Sequence, residues 1–465
     1  MRLDHETVMS SSLAHIMTGI CALNTELELL KNESEWEDSE SANAGKIRTV
    51  ERKTSIQVTK AQDSGYQHNM VRDGGNILEN HRFALRLLGA ALIGWLAWRG
   101  EVAALALLPV MVWLWRDSRN RLDAFGVIFT YYLTAGRGLL PGACVFFSNS
   151  LTPPVWWVGV LVWTLPSALL ATAWAACWST KHRGLRLLLA LALISLPPIG
   201  VIGWANPLTA TGALFPNTSW LGLGLTLILF VLIAEQPRSH FIAPLLSLAL
   251  TLNIFQPPKP PAPGWIGLDT QHLPSSSTEG EFERMQSLQQ LVTRKSRDAA
   301  SGTVFLLPEA VGGNWAINEG WWRRVSARLT EKKQTVIIGA TRPATDGGRY
   351  VNILTTIGHG SGTEFIDRVP VPFGMWKPHR PDGASAFWWD TGVAEFNGIR
   401  VASLICYEQL LAWPIIVSMA QAPALIIAAS NDWWARGTSI PDIQRQVVTA
   451  WGRLFGVPTV YAANL

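Results

Sequence analysis

From residue 83 to about 257 the chain is a succession of apolar runs with little charge; beyond that the apolar runs shorten and alternate with polar stretches of helical period. Crossing hydrocarbon takes roughly 20 apolar residues, and about seven candidate spans meet or approach that length. They lie at roughly 83–98, 102–115, 122–147, 155–178, 185–203, 219–235 and 241–256. PPKPPAPG (257–264) is a stiff proline-rich connector that should end the last helix and space a second domain away from it. In that domain WIGLD (265–269), TVFLLPEA (303–310), QTVIIGAT (334–341) and RYVNILTTIG (349–358) read as strands. EFIDRVPVP, GIRVASLIC and ALIIAAS supply further strands. Helices are expected at 281–300, 320–333, about 409–421 and about 441–455. The fold class that follows is a multi-pass α-helical membrane bundle (83–256) ahead of a layered α/β domain (257–465).

At 465 residues the chain is too long for one ordinary domain. Residues 1–80 are polar, carry ESEWEDSESA (34–43) and show no sustained apolar period, so a disordered extension is expected, with Met70 as an alternative start. Trp95, Trp98, Trp113, Trp115, Trp156, Trp157, Trp163 and Trp178 sit mostly near the ends of apolar runs, as in an interfacial aromatic belt. Arg82 and Arg86, then Arg116, Arg119 and Arg121, then Lys181, Arg183 and Arg186, then Arg238 alternate with nearly uncharged loops. The positive-inside rule then gives a cytoplasmic N-terminus, and an odd number of spans delivers the C-terminal domain to the periplasm of a Gram-negative cell. With no cleavable signal evident, the first span serves as the anchor, making this a multi-pass inner-membrane protein in contact with membrane lipid. A net charge of +4 spread over short loops gives no nucleic-acid-binding surface.

The chemistry concentrates in ASLICYEQLL (402–411), LLPEA (306–310) and IIAASNDWW (426–434). Cys406 is the lone cysteine of the C-terminal domain, so no disulfide framework forms around it. It stands where a strand hands over to a helix, where backbone N–H groups and the helix dipole favour thiolate and can hold an oxyanion. Glu309 ends another strand and suits a general base for that thiol. A cysteine–histidine arrangement using His359 or His379 lacks any specific motif. Neither metal-ligand spacing nor a phosphate-binding glycine loop is present, so no metal or cofactor is expected.

These residues resemble the carbon-nitrogen hydrolases, nitrilase-like enzymes with a Glu, Lys, Cys triad on an αββα sandwich. The order of membrane bundle and catalytic domain is similar to apolipoprotein N-acyltransferase. By that resemblance LLPEA carries the base Glu309, ICYE carries the nucleophile Cys406 with Tyr407 and the supporting Glu408, and SNDWW places Asn431 beside the site. VPVPFG (369–374) resembles the family's LVPFG loop. RVPVPFGMWKP, the length counted from Met70 and the ending YAANL resemble more particularly the TraB family of plasmid conjugal transfer proteins of rhizobia and agrobacteria, which implies conjugation-machinery partners. Three departures stand out: Asp367 occupies the place of the family's lysine, Met375 that of a glutamate after PFG, and the chain reaches Leu465 without the family's final strands and closing helix.

The resemblance requires a basic group beside the sulfur, and Arg368 or, alternatively, Lys377 is expected to supply it within about 6 Å of Cys406 or Glu309. Two functions follow. One is a membrane enzyme in which Cys406 attacks an amide or acyl carbon with Glu309 as base. The other is a catalytically inactive nitrilase-like binding module of the conjugation machinery.

Overall fold

The computed structural model describes residues 79–465 apart from 149–154, 237–238, 258, 275–276 and 346–347. Nearly all of the polar extension, with Met70, lies outside the described residues. The apolar half forms a bundle of mostly short helices: α1 (79–97), α2 (Leu108–Arg116), α3 (Arg121–Ala135), α4 (Leu139–Phe147), α5 (Trp156–Cys177), α6 (Arg183–Ser195), α7 (Thr211–Leu214), α8 (Ser219–Glu235) and α9 (Ile242–Phe255).

The expected spans are more broken than the hydropathy suggests. Among the described residues only α5 is by itself long and apolar enough to cross a membrane; Pro207–Leu214 with α8 forms a second candidate bent by 120°. The run expected at 122–147 divides where Gly136 packs against Trp204 and the Tyr132 carbonyl, with no room for a Cβ. The run at 185–203 stops before Pro197 and Pro198, which carry no N–H for a continuing helix. The tryptophans also divide: Trp95, Trp113, Trp156 and Trp157 are exposed, whereas Trp98, Trp115 and Trp178 are buried in the bundle. There Trp98 donates to the Tyr131 hydroxyl (2.8 Å) and Trp178 to the Trp115 carbonyl (3.1 Å), which satisfies their indole N–H groups.

The C-terminal half is an αββα sandwich. One sheet has the order β1 (Trp265–Gly267), β2 (Val304–Leu306), β3 (Thr335–Pro343), β4 (Tyr350–Gly358), β5 (Glu364–Ile366); the other runs β6 (Val393–Phe396), β7 (Ile399–Ile405), β8 (Leu425–Asn431), β9 (Thr459–Asn464). Parallel pairing joins β1 to β2 and β2 to β3 in the first sheet, and β7 to β8 and β8 to β9 in the second. Period-2 alternation sends Val304, Leu306, Ile337 and Leu354 to meet Val401, Ile405, Ile427 and Val460 between the sheets. On the outer face of the first sheet, α10 (Thr278–Asp298) and α11 (Trp315–Glu331) pack through Met285, Leu288, Trp322 and Leu329.

The outer face of the second sheet is covered by α12 (Ala412–Ala420) and α13 (Ile440–Phe455), and here the expectation of a spaced-apart domain fails. Val447, Trp451 and Leu454 of α13 share one core with Trp98, Phe215 and Phe230 of the bundle. Gln446 donates to the carbonyls of Ala97 (2.7 Å) and Glu101 (2.6 Å), and Gly212 lies flush against the Ala450 carbonyl. The broad apolar face of α13 is divided between the sheet and the bundle, so the connector joins two packed bodies.

Candidate active site

Cys406 follows the last residue of β7 and adopts φ +49°, an unusual conformation for a residue with a Cβ. The turn ejects its side chain from the sheet and begins a five-residue 3-10 helix, Cys406–Leu410. Glu309 comes from the corresponding end of β2 in the facing sheet. Its backbone lies against Gly339 of β3, where a Cβ would collide with the Pro308 carbonyl and the Glu309 Cα. The sandwich therefore brings the two expected residues together from strands almost a hundred positions apart, close enough that each acts on the other's ionisation.

Three further polar residues complete the cluster. Asn352, on β4, donates its Nδ2 to Glu309 Oε1 (2.5 Å) and to Asp367 Oδ2 (3.3 Å). Asp432 is fully buried, accepts from the Ser430 hydroxyl (2.5 Å) and, with the Gln444 amide nitrogen turned toward it, from that residue at 2.9 Å. Sequence reasoning gave none of Asn352, Asp432 or Gln444 a role. A lone asparagine within the apolar YVNILTTI strand was the available signal for the first, and the aspartate of SNDWW for the second.

Burial drives the electrostatics. It raises Glu309 to about 7, against the opposing help of the Cys406 thiol, the Asn352 amide and the Asn431 backbone. It raises Asp432 to about 7 as well, with the Ser430 bond pulling downward. Asp367 lies well above the ordinary carboxyl range through burial and the neighbouring Glu408 and Glu309. The Cys406 thiol is likewise pushed well up, by burial first and then by Glu309, Asp432 and Asp367. The expected lowered thiol pKa is thus overturned: three carboxyl groups surround the sulfur, and a single short 3-10 turn supplies little dipole to oppose them.

Arg368 bonds to Glu408 and its surroundings. It is fully buried, with Nη2 2.7 Å and Nε 3.2 Å from Glu408 Oε2, and its Nη1 donates to Thr391 O (3.0 Å), Pro414 O (3.2 Å) and Ser418 Oγ (3.0 Å). Neither Cys406 nor Glu309 is among its hydrogen-bond partners. Lys377 pairs with Asp382 at 3.7 Å on a part-exposed loop. Glu408 therefore supports the site indirectly, by fixing Arg368 and accepting from the Val369 N–H (3.3 Å). Tyr407 donates to the Val201 carbonyl of the bundle (2.9 Å), and the Asn431 side chain is held by Asn464 Nδ2 (2.8 Å). A cavity of about 310 Å³, bounded by Ala310, Asn431, Trp433, Leu273 and His272, opens beside this cluster.

The family model for carbon-nitrogen hydrolases matches residues 178–453. The chain is 35% identical over 407 residues to conjugal transfer protein TraB of Agrobacterium fabrum, covering 82% of this chain and 93% of that protein. It is also 35% identical over 392 residues to a probable conjugal transfer protein TraB of Sinorhizobium fredii, covering 82% and 97%. Apolipoprotein N-acyltransferase of Pseudomonas paraeruginosa is 30% identical over 131 residues, a quarter of either chain. With most of the chain and nearly all of the first two relatives aligned, and the αββα sandwich in place, the chain belongs to the carbon-nitrogen hydrolase family and, within it, to the TraB conjugal transfer proteins.

Proposed function

We propose that this protein is a membrane-embedded carbon-nitrogen hydrolase or acyltransferase-like enzyme that serves conjugal plasmid transfer, with Cys406 as nucleophile and Glu309 as general base on an amide or acyl substrate. The observation that carries the reading is the meeting of Glu309 and Cys406 at one end of two facing sheets. In the proposed step the thiol proton passes to Glu309 as sulfur attacks the carbonyl carbon, Glu309 returns it to the leaving amine or alcohol as the C–N or C–O bond breaks, and water or an amine deprotonated by Glu309 later resolves the thioester. Glu408, Tyr407 and Asn431 hold the frame.

Membrane embedding is supported by the outward face of the bundle. Leu122, Leu185, Leu221, Leu250 and Trp156 are each more than 60% exposed, and an apolar surface of that extent belongs in lipid rather than water. The chain then resides in the inner membrane with the sandwich on the periplasmic side, and its partners are membrane lipid and the conjugation machinery. A second reading, a binding module that has lost catalysis, is favoured by one specific observation: Arg368 is paired with Glu408 and Lys377 with Asp382, and neither hydrogen-bonds to Cys406 or Glu309.

Intact-mass analysis of the purified full-length protein after incubation with membrane extract separates the two. The enzyme reading expects a covalent adduct mapped to Cys406 and absent from Cys406→Ser. No adduct, together with undiminished plasmid transfer by Cys406→Ser, would establish the binding module.

A further inference from the structure

Among the described residues, Asp367 reaches the base with no cation bonded to it. It follows β5, where its N–H still donates to the Asn352 carbonyl (2.9 Å), and its side chain is buried. Oδ1 accepts from the Val369 N–H (3.2 Å), while Oδ2 faces the Asn352 Nδ2 at 3.3 Å, the same nitrogen that donates to Glu309 Oε1 at 2.5 Å. One carboxamide thus holds two buried carboxyl groups. The charged and titratable groups facing Asp367 are Glu309 from the turn after β2, Tyr350 from β4, Glu408 with its partner Arg368, and the Cys406 thiol. Arg368 is the cation among them, and it is bonded to Glu408.

Two carboxylates held by one amide, in a buried setting with no cation bonded to either, do not both ionise at neutral pH. The bond lengths indicate which keeps the proton. Glu309 has the short bond from Asn352 and is the better stabilised anion; Asp367 has the long one and lies near the negative Glu408. We propose that Asp367 is a positioning residue that stays protonated in the resting site, so that Glu309 and Asp367 share one proton across the Asn352 amide and Glu309 alone faces Cys406 as an ionised base. The role of Glu309 in this arrangement rests on the proposed nucleophile and base pair; the protonation of Asp367 does not.

The balance is simple. As the sulfur–carbon bond forms, the S–H proton passes to Glu309 and the carbonyl electron pair moves to oxygen, leaving one proton on each carboxyl group and one negative charge on the oxyanion. Starting instead with both carboxyl groups ionised would place that oxyanion beside the remaining Asp367 carboxylate.

Two measurements on the full-length protein in detergent test this. Infrared spectra at pH 8 should show a protonated-carboxyl C=O stretch that shifts in deuterium oxide and is missing in Asp367→Asn, a nearly isosteric change. Because a protonated Asp367 carries no charge, iodoacetamide modification mapped to Cys406 should follow nearly the same pH profile up to pH 8 in wild type and in Asp367→Asn. Asp367→Lys should react roughly tenfold or more faster at pH 7, since one pKa unit is a factor of ten in thiolate. An infrared band that persists in Asp367→Asn, or Cys406 in Asp367→Asn reacting several-fold faster than wild type at pH 7 to 8, as loss of a carboxylate would cause, would overturn the proposal. If the band is lost as expected but no substrate adduct ever forms on Cys406, the proton assignment stands and the enzyme reading falls.

Discussion

The Glu408 carboxylate and the Arg368 guanidinium form a pair in which neither side chain has any solvent exposure, with Nη2 and Oε2 2.7 Å apart. Removing one partner leaves the other charged and dry, which typically costs 3–5 kcal/mol. Arg368→Ala should therefore lower stability by about that much, and Arg368→Lys should not rescue it, because an ammonium cannot reproduce the fork that also reaches Thr391 and Pro414. Chemical denaturation in detergent measures this. A stable Arg368→Ala with altered iodoacetamide reactivity at Cys406 would instead return Arg368 to the catalytic cleft.

Glu309 carries a pH prediction of definite sign. Its pKa is raised by folding from the ordinary 4.5 to about 7, so the folded state binds the extra proton and stability falls as pH rises between those values. At 1.36 kcal/mol per unit the contribution is about 3 kcal/mol. Glu309→Gln should flatten that part of the stability profile and be the more stable protein at pH 8. On the proposed mechanism, activity should in wild type decline as pH falls through about 7, and Glu309→Gln should be inactive at every pH.

Gly339 is a steric prediction. A methyl group there falls against the Pro308 carbonyl and the Glu309 Cα, so Gly339→Ala must push the base away from Cys406. Overpacking of this kind typically costs 1–3 kcal/mol. Loss of substrate adduct in a protein that remains folded by circular dichroism is the expected result; full activity would mean that the strand end yields without moving the carboxylate.

The strand-end positions of Cys406 and Glu309 and the layered α/β class were legible in the local apolar pattern, whereas the αββα arrangement came from the family resemblance. The pairing of Arg368 was not legible because its partner lies forty positions later: Glu408 fixes the guanidinium, and no periodicity encodes that. The thiol pKa was misjudged for a similar reason, since helix position is visible in sequence but the carboxyl groups gathered around Cys406 come from three different strand ends. The expected spans were drawn more continuous than the helices are. Hydropathy registers apolar length, whereas Gly136 and the Pro197, Pro198 pair break the helices and the apolar face of α13 is spent on the bundle.

That face yields the last prediction. Val447, Trp451 and Leu454 are buried against the bundle, and Gln446 bonds to carbonyls at the end of α1 and just beyond it. Expressed alone, residues 257–465 would leave these side chains without their cover. Such a patch promotes association. The isolated domain should therefore aggregate or require detergent, while the full chain in detergent remains monodisperse by size-exclusion chromatography. Within the full chain, Gly212→Val should weaken the same contact by forcing a side chain into the Ala450 carbonyl, and Gln446→Ala should cost roughly 1–3 kcal/mol through the two orphaned carbonyls. A soluble, monomeric 257–465 fragment with intact thermal unfolding would show that the sandwich stands independently and that its contact with the bundle is a docking of two finished bodies.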